Sequence, residues 1–275
     1  MISMNESLCD IRLSHRLFEI FAKKSRVTLM SFWYVTMVAS YIRINFKKEK
    51  TEENEVEIVR VEHLVKTYGE GDVEVRAVDD VSFSVEKGEF LCIIGASGSG
   101  KSTLMHLMGG VDRPTSGSVY IDGEDIFKMK DDTLAVFRRR QVGIIYQFYN
   151  LLPVLTAYEN ITLPMDLDGQ NVSKERVDEV INQLGLNGRE NHLPNQLSGG
   201  QQQIVAIGRA IINNPAVILA DELTGNLDKK ASDEIIGLLK ETNKKHGQTI
   251  IMITHDLEIA KQADRVLTMV DGKLK

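Results

Sequence analysis

Gly95, Ala96, Ser97, Gly98, Ser99, Gly100, Lys101, Ser102 and Thr103 satisfy the spacing G-x-x-x-x-G-K-[ST]. They follow the apolar run Phe90-Leu91-Cys92-Ile93-Ile94 and open the apolar stretch Leu104 to Met108, so strand, loop and helix are predicted in the order that phosphate binding requires. Glycines let the backbone wrap closely around a polyphosphate. The loop amides and the positive end of the helix stabilise its charge, Lys101 reaches the β and γ phosphates, and the Ser102 hydroxyl can ligate Mg²⁺. A glycine-rich turn with an unrelated lysine would not need this context. A second run, Val217-Ile218-Leu219-Ala220-Asp221-Glu222, reads as an apolar strand with two carboxylates at the end where open α/β sheets bind ligands. Asp221 is expected to hold Mg²⁺ through its water shell and Glu222 to polarise an attacking water. Alone, such a strand is usually structural; beside the phosphate loop it points to nucleoside triphosphate hydrolysis.

Between these runs lies Leu197-Ser198-Gly199-Gly200-Gln201, followed by the helical stretch Gln202 to Ile212. A serine hydroxyl and glycine amides at a helix N-terminus make a second anion site, one without a lysine or a metal ligand of its own. Ser198 also reads as the N-cap, and cap and anion site are the same object.

The elements that must hold these residues are legible as alternation. Strand-like runs (Phe90 to Gly95, Val142 to Tyr146, Val217 to Ala220, Thr249 to Thr254, Arg265 to Val270) alternate with helical stretches such as Lys174 to Leu184 and Ala231 to Lys245. That pattern predicts an α/β fold with a largely parallel sheet flanked by helices. Val56 to Val61 alternates apolar and polar residues as an edge-type strand should, so the folded domain is expected to span 56–275.

Residues 1–55 differ in character. Val27 to Ile42 is uncharged and aromatic-rich, holds Trp33, and is flanked by Lys23, Lys24 and Arg26 on one side and Arg43, Lys47 and Lys48 on the other. It falls short of the ~20 residues a spanning helix needs, which makes it a marginal membrane segment. Ala39-Ser40-Tyr41 is a poor signal-peptide cleavage site. The expectation is an over-long start or a dispensable extension rather than an anchor.

The motifs together resemble those of ABC-transporter ATPases, and the resemblance covers about Val56 to Lys275. It implies a P-loop NTPase of the ABC type: a mixed sheet core, an antiparallel β subdomain and a helical signature subdomain. ATP and Mg²⁺ would be bound between two protomers of a homodimer or ABC heterodimer, with Ser198, Gly199, Gly200 and Gln201 closing on the γ-phosphate held by the other subunit. On the same resemblance Tyr68 stacks on adenine, Gln147 senses Mg²⁺ and water and links to the membrane partner, Asp228 in Gly225-Asn226-Leu227-Asp228 reaches across the dimer, and His255 contacts the γ-phosphate. Tyr149-Asn150-Leu151-Leu152-Pro153 and Asn160-Ile161-Thr162-Leu163-Pro164 resemble the branch of lipoprotein-releasing, macrolide-exporting and antimicrobial-peptide-resistance systems. That branch implies a permease in another chain and a peripheral place on the cytoplasmic face of the membrane. A regulatory ATPase that activates an extracellular partner without transport shares the same chemistry. The apolar Tyr149, Leu151 and Leu152 are expected to form part of a docking surface for a permease helix, with core packing as the alternative.

Three positions depart from the family pattern: Ile204 where arginine is common, Gly208 where a small helix former is usual, and Leu223 where proline follows the catalytic glutamate. None removes a group expected to touch ATP.

Composition narrows the classes further. The chain has 275 residues, 43% of them hydrophobic, and a net charge of −6, so no global positive field is available to hold nucleic acid. Cys9 and Cys92 lie far apart without metal-ligand spacing, which fits a reduced compartment. The triplets beginning at Asn160 and Asn171 match glycosylation acceptors but carry no weight without secretion.

Overall fold

The computed structural model describes residues 56–69, 73–169, 173–225 and 227–275. The stretch 27–42 and Cys9 lie outside them, as do Asn171 and Asn226. Two sheets form. In the first, β1 (Glu57–Tyr68), β2 (Val75–Glu86), β4 (Ser116–Ile121) and β5 (Glu124–Asp125) run antiparallel in the order β2-β1-β4-β5. The second has the order β10-β9-β3-β8-β7-β6, built from β3 (Phe90–Ile94), β6 (Val142–Ile145), β7 (Val217–Asp221), β8 (Thr249–Ile253), β9 (Arg265–Val270) and β10 (Lys273–Leu274). All neighbours in it are parallel except the β9–β10 hairpin. The helices are α1 (Lys101–Met108), α2 (Asp131–Gln141), α3 (Ala157–Asp166), α4 (Lys174–Gln183), α5 (Gly199–Ile211), α6 (Lys229–His246) and α7 (Leu257–Ala260).

The β1 strand corrects one expectation. It pairs with β2 on one side and β4 on the other, so it is interior rather than an edge. Alternation of polar and apolar residues reports one wet face, a property that interior strands of antiparallel sheets share with edges.

The central strands β3, β7 and β8 are largely apolar because both faces are covered. In β3, Phe90 and Cys92 point into one core while Leu91 and Ile93 point into the other; β8 divides Ile250 and Met252 from Ile251 and Ile253 in the same way. One core lies against α3 to α6, and the second against α1 and the antiparallel sheet. Burial pushes the Cys92 thiol up to about 12, so it behaves as a small hydrophobe.

Local signals set the helix starts. Thr156 and Glu159 form a reciprocal capping box for α3, Ser198 and Gln201 one for α5, and Asp228 caps α6 by accepting from Ala231 N. Asn160, buried in α3, accepts from Leu152 N at 2.8 Å and donates to the carbonyls of Leu152, Leu155 and Thr156. It is therefore a structural clasp on the loop before α3.

The departures from the family pattern have packing reasons. Ile204 and Leu223 are buried in the helical-side core, where each contributes about 1.5–3 kcal/mol by leaving water. A methyl at Gly208 would lie 2.8 Å from Leu184 Cδ1 and 3.0 Å from Ile161 Cγ1. Overpacking costs typically about 1–3 kcal/mol, against about 1 kcal/mol of helix propensity lost to glycine, so the close approach of α3 to α5 favours glycine here.

Candidate functional site

The phosphate loop leaves β3 at its carboxyl end and enters α1 through Gly100, whose φ of 102° is left-handed. A side chain at Gly100 would overlap the Ala77 carbonyl of β2, and one at Gly95 the Met269 carbonyl of β9. The loop is thus clamped between two strands remote in sequence. The Asp271-Gly272 turn, both residues with positive φ, completes the clamp: Gly272 N donates to Ser99 O at 3.0 Å and Asp79 N to Gly272 O at 2.9 Å. Lys101, buried along its length, donates to the carbonyls of Gly95 and Ala96, each at 2.8 Å.

A cleft of about 520 Å³ opens over this loop. Ser97, Gly98, Gly100, Lys101, Ser102 and Thr103 line it together with Gln147, Asp221 and Glu222. Gly95 and Ser99 lie behind it as support. The Ser102 hydroxyl stands 3.5 Å from Asp221 Oδ1. Burial pushes the Asp221 carboxyl above its ordinary range; the Ser102 hydrogen bond opposes this and the Glu222 charge adds to it. Glu222 follows β7 with φ 44°, a strained value for a non-glycine residue, and its Oε1 lies 3.3 Å from His255 Nδ1 at the end of β8.

Tyr68 closes β1 opposite Val75, itself a wall of the cleft. Its phenol donates to Asp112 Oδ2 at 2.8 Å, and the Thr103 side chain reaches the same hydroxyl. Burial raises its pKa, with Asp112 acting in the same direction.

The signature residues stand apart: none of Ser198, Gly199, Gly200 and Gln201 lines the cleft, and neither does Asp228. They connect to it indirectly. A methyl at Gly199 would lie 2.8 Å from the Tyr149 hydroxyl, and one at Gly225 2.7 Å from Gln147 Nε2, so signature and Asp228 loop both pack on the segment after β6. Arg209 of α5 holds that segment too, donating to Tyr149 O at 3.0 Å and Asn150 O at 2.7 Å.

Sequence reasoning missed Val75, Arg76, Ala77, Asp271 and Gly272, which also line the cleft. The Asp-Gly pair before Lys273 was a readable hairpin signal; nothing local to 75–77 marks it as a wall. The expected surface patch after Gln147 is only partly found. Leu151 and Tyr149 pack against the helical-side core, whereas Leu152 is exposed, along with Phe148 and Val154, which are 70% and 80% exposed.

Mg²⁺ is a hard cation that takes oxygen ligands and keeps few protein contacts when phosphates supply the rest. Ser102 and Asp221 present such oxygens to the cleft, with the Gln147 amide on the same wall. Among the described residues no cluster of three histidine, cysteine, aspartate or glutamate side chains could hold a metal alone. That sparse set fits a metal shared with a polyphosphate.

A protein-family model described as "ABC transporter" matches residues 78–225. The dimeric post-hydrolysis structure of the ATP-binding cassette MJ0796 bound to ADP and Pi is 41% identical over 79% of this chain and 96% of that one, with a TM-score of 0.73. A further dimeric structure of MJ0796, described as a bacterial ABC transporter cassette, is 40% identical with the same coverage and TM-score. CbiO1 from Clostridium perfringens, described as part of the ABC transporter complex cbiONQ, is 29% identical over 80% of this chain and 87% of that one, with a TM-score of 0.71.

Proposed function

The chain belongs to the ABC transporter family, and from that premise we propose that it is the ATP-hydrolysing subunit of a transporter whose permease is another chain. The supporting observation is the cleft that gathers Lys101, Ser102, Gln147, Asp221 and Glu222 while leaving Ser198 outside it. A site built this way lacks a donor set for the far side of the γ-phosphate, which a second protomer's signature would supply.

In this reading the amides of Ser97 to Thr103 and the Lys101 ammonium bind the phosphates of ATP and offset their charge. Ser102 and Asp221 would hold Mg²⁺, which when bound neutralises charge on the transferred phosphoryl group. Glu222 accepts a hydrogen bond from the attacking water, and His255, beside it, orients that carboxylate and the γ-phosphate. Asp228 reaches the dimer partner.

We place the protein in the lipoprotein-release, macrolide-export and peptide-resistance branch on its Tyr149 to Pro153 and Asn160 to Pro164 segments. It would sit peripherally on the cytoplasmic face, held by its permease. No helix among the described residues is long and apolar enough to cross a membrane. A docking surface is at hand. A cleft of about 740 Å³ is lined by apolar residues such as Val142, Leu163 and Leu167 and by the guanidinium groups of Arg138 and Arg209. Arg138 donates to Gly110 O and Arg209 to Tyr149 O and Asn150 O, carbonyls rather than carboxylates. Burial pulls the Arg209 pKa down, with Tyr146 opposing it. An amphipathic permease helix carrying an acidic side chain fits that chemistry.

The test replaces Val111 and Leu167, exposed apolar residues that line this cleft, with serine. The variant should keep basal ATPase activity and lose its retention on membrane vesicles from the native cell. Wild-type retention would reject this surface as the docking site.

The domain boundary is tested separately. A chain starting at Val56 should keep full ATP affinity and still dimerise with ATP, measured by equilibrium binding and light scattering. Loss of binding would make residues 1–55 part of the fold.

A further inference from the structure

We infer that Asp112, together with Lys66, is a positioning residue that locks the Tyr68 ring and so sets the spacing between the base and the phosphates of the bound nucleotide. The inference rests on the reading of Tyr68 as the adenine platform.

Three contacts hold Tyr68: Asp112 and Thr103 at its hydroxyl and Lys66 over one face of the ring. The phenol donates to Asp112 Oδ2 at 2.8 Å. The Lys66 ammonium lies 4.8 Å from the ring centroid, over one face, and is itself fixed by Asp112 Oδ1 at 2.8 Å and Arg113 O at 2.7 Å. Asp112 Oδ1 also accepts from Arg113 N at 2.7 Å, so both carboxylate oxygens are engaged. With one face of the ring covered by Lys66, a planar ligand can stack only on the other, and Tyr68 remains 44% exposed.

The anchor is tied to the phosphate site. Asp112 lies in the turn after α1, past Gly109 to Val111, and its backbone N–H, with that of Val111, donates to His106 O in the last turn of that helix. The same helix begins at Lys101 with the residues that bind phosphate. A rigid two-turn helix therefore joins the phosphate loop at one end to the Tyr68 anchor at the other. An unanchored tyrosine at the end of β1 would have to be ordered by each nucleotide as it binds. The lock does that in advance, and its benefit applies only to ligands that carry a base.

The experiment compares the affinities of MgATP and of inorganic tripolyphosphate with Mg²⁺ for the full chain. Tyr68→Ala should weaken ATP roughly 10-fold or more, as loss of an aromatic stacking platform does, and leave tripolyphosphate unchanged. Asp112→Ala and Tyr68→Phe should each weaken ATP roughly 3- to 10-fold, the effect of freeing one side chain, again without change for tripolyphosphate. Their combination should cost less than the sum of the two, because both remove the hydrogen bond between Tyr68 and Asp112. Tyr68→Phe keeps the test open if Asp112→Ala fails to fold. If Tyr68→Ala leaves the ratio of the two affinities unaltered, the adenine platform lies elsewhere. If Tyr68→Ala shifts the ratio but Asp112→Ala and Tyr68→Phe do not, the platform stands and the lock is rejected. Equal weakening of ATP and tripolyphosphate by Asp112→Ala would assign Asp112 to the fold of α1 and also overturn the inference.

Discussion

Glu222→Gln should slow ATP hydrolysis by roughly 10²-fold or more while leaving ATP affinity intact, the loss expected when a positioned general base is removed. Glutamine matches glutamate in shape, so β7, the strained φ at residue 222 and the packing of Leu223 beneath it should be undisturbed. What disappears is a negative charge and a proton acceptor 3.3 Å from His255 Nδ1. Asp221 cannot substitute, because it stands against the Ser102 hydroxyl, where its expected work is on the metal. With binding intact and chemistry blocked, ATP should accumulate in the closed dimer. Phosphate release measured beside ATP-dependent dimer formation checks both halves. Near-normal turnover by the purified variant would remove Glu222 from this role.

The second large effect concerns the sharing of each site between two chains. One protomer is made Lys101→Ala, which removes the ammonium now held by the Gly95 and Ala96 carbonyls. The other is made Ser198→Ala together with Gly199→Asp, which removes the hydroxyl and places a carboxylate where an anion should bind. Each homodimer should be inactive. In a head-to-tail dimer with C₂ symmetry, mixing places both defects in one site and leaves the other site whole. With random exchange at equal amounts, about half the dimers are mixed and half their sites intact, so about a quarter of wild-type activity should return if sites act independently. If the signature served the ATP of its own chain, nothing would be rescued. Because two sites that must fire together would also give no activity, ATP binding to the mixture is measured alongside. One intact site closing on ATP supports sharing, and no closure rejects it.

Several site residues were legible because their signals are local. The phosphate loop is a continuous stretch whose strand and helix flank it directly, and the two carboxylates end an apolar run. The caps Ser198 and Asp228 act on amides three residues ahead. The Lys101, Ser102 and Asp221 side chains meet because β3 and β7 both flank β8 in a parallel sheet, so their carboxyl ends lie on one side. Alternating strands and helices were enough to anticipate such a sheet.

What stayed hidden depends on partners far away in the chain. Leu151 and Leu152 are chemically identical neighbours, yet one packs into the core and the other faces solvent, because Asn160 clasps the loop at Leu152 and directs successive side chains. The family departures at Ile204, Gly208 and Leu223 have reasons that only packing shows: Ile204 and Leu223 enter the helical-side core, and a methyl at Gly208 would meet Leu184 and Ile161.

The sequence by itself determined the chemistry on offer, since phosphate, metal and water each need particular groups at short spacing, and it determined the central strands of the parallel sheet, whose apolar runs demand burial on both faces. Only the tertiary structure decided which walls close the nucleotide cleft. Residues 75–77 and the Asp271-Gly272 turn reach it because β2 and the β9–β10 hairpin fold against the loop, and Tyr68 at the end of β1 is anchored by Asp112, 44 residues on, in the turn after α1. The physical reason is range: periodicity and capping act across about four residues, whereas the contacts that shape a cleft follow from which strands pair.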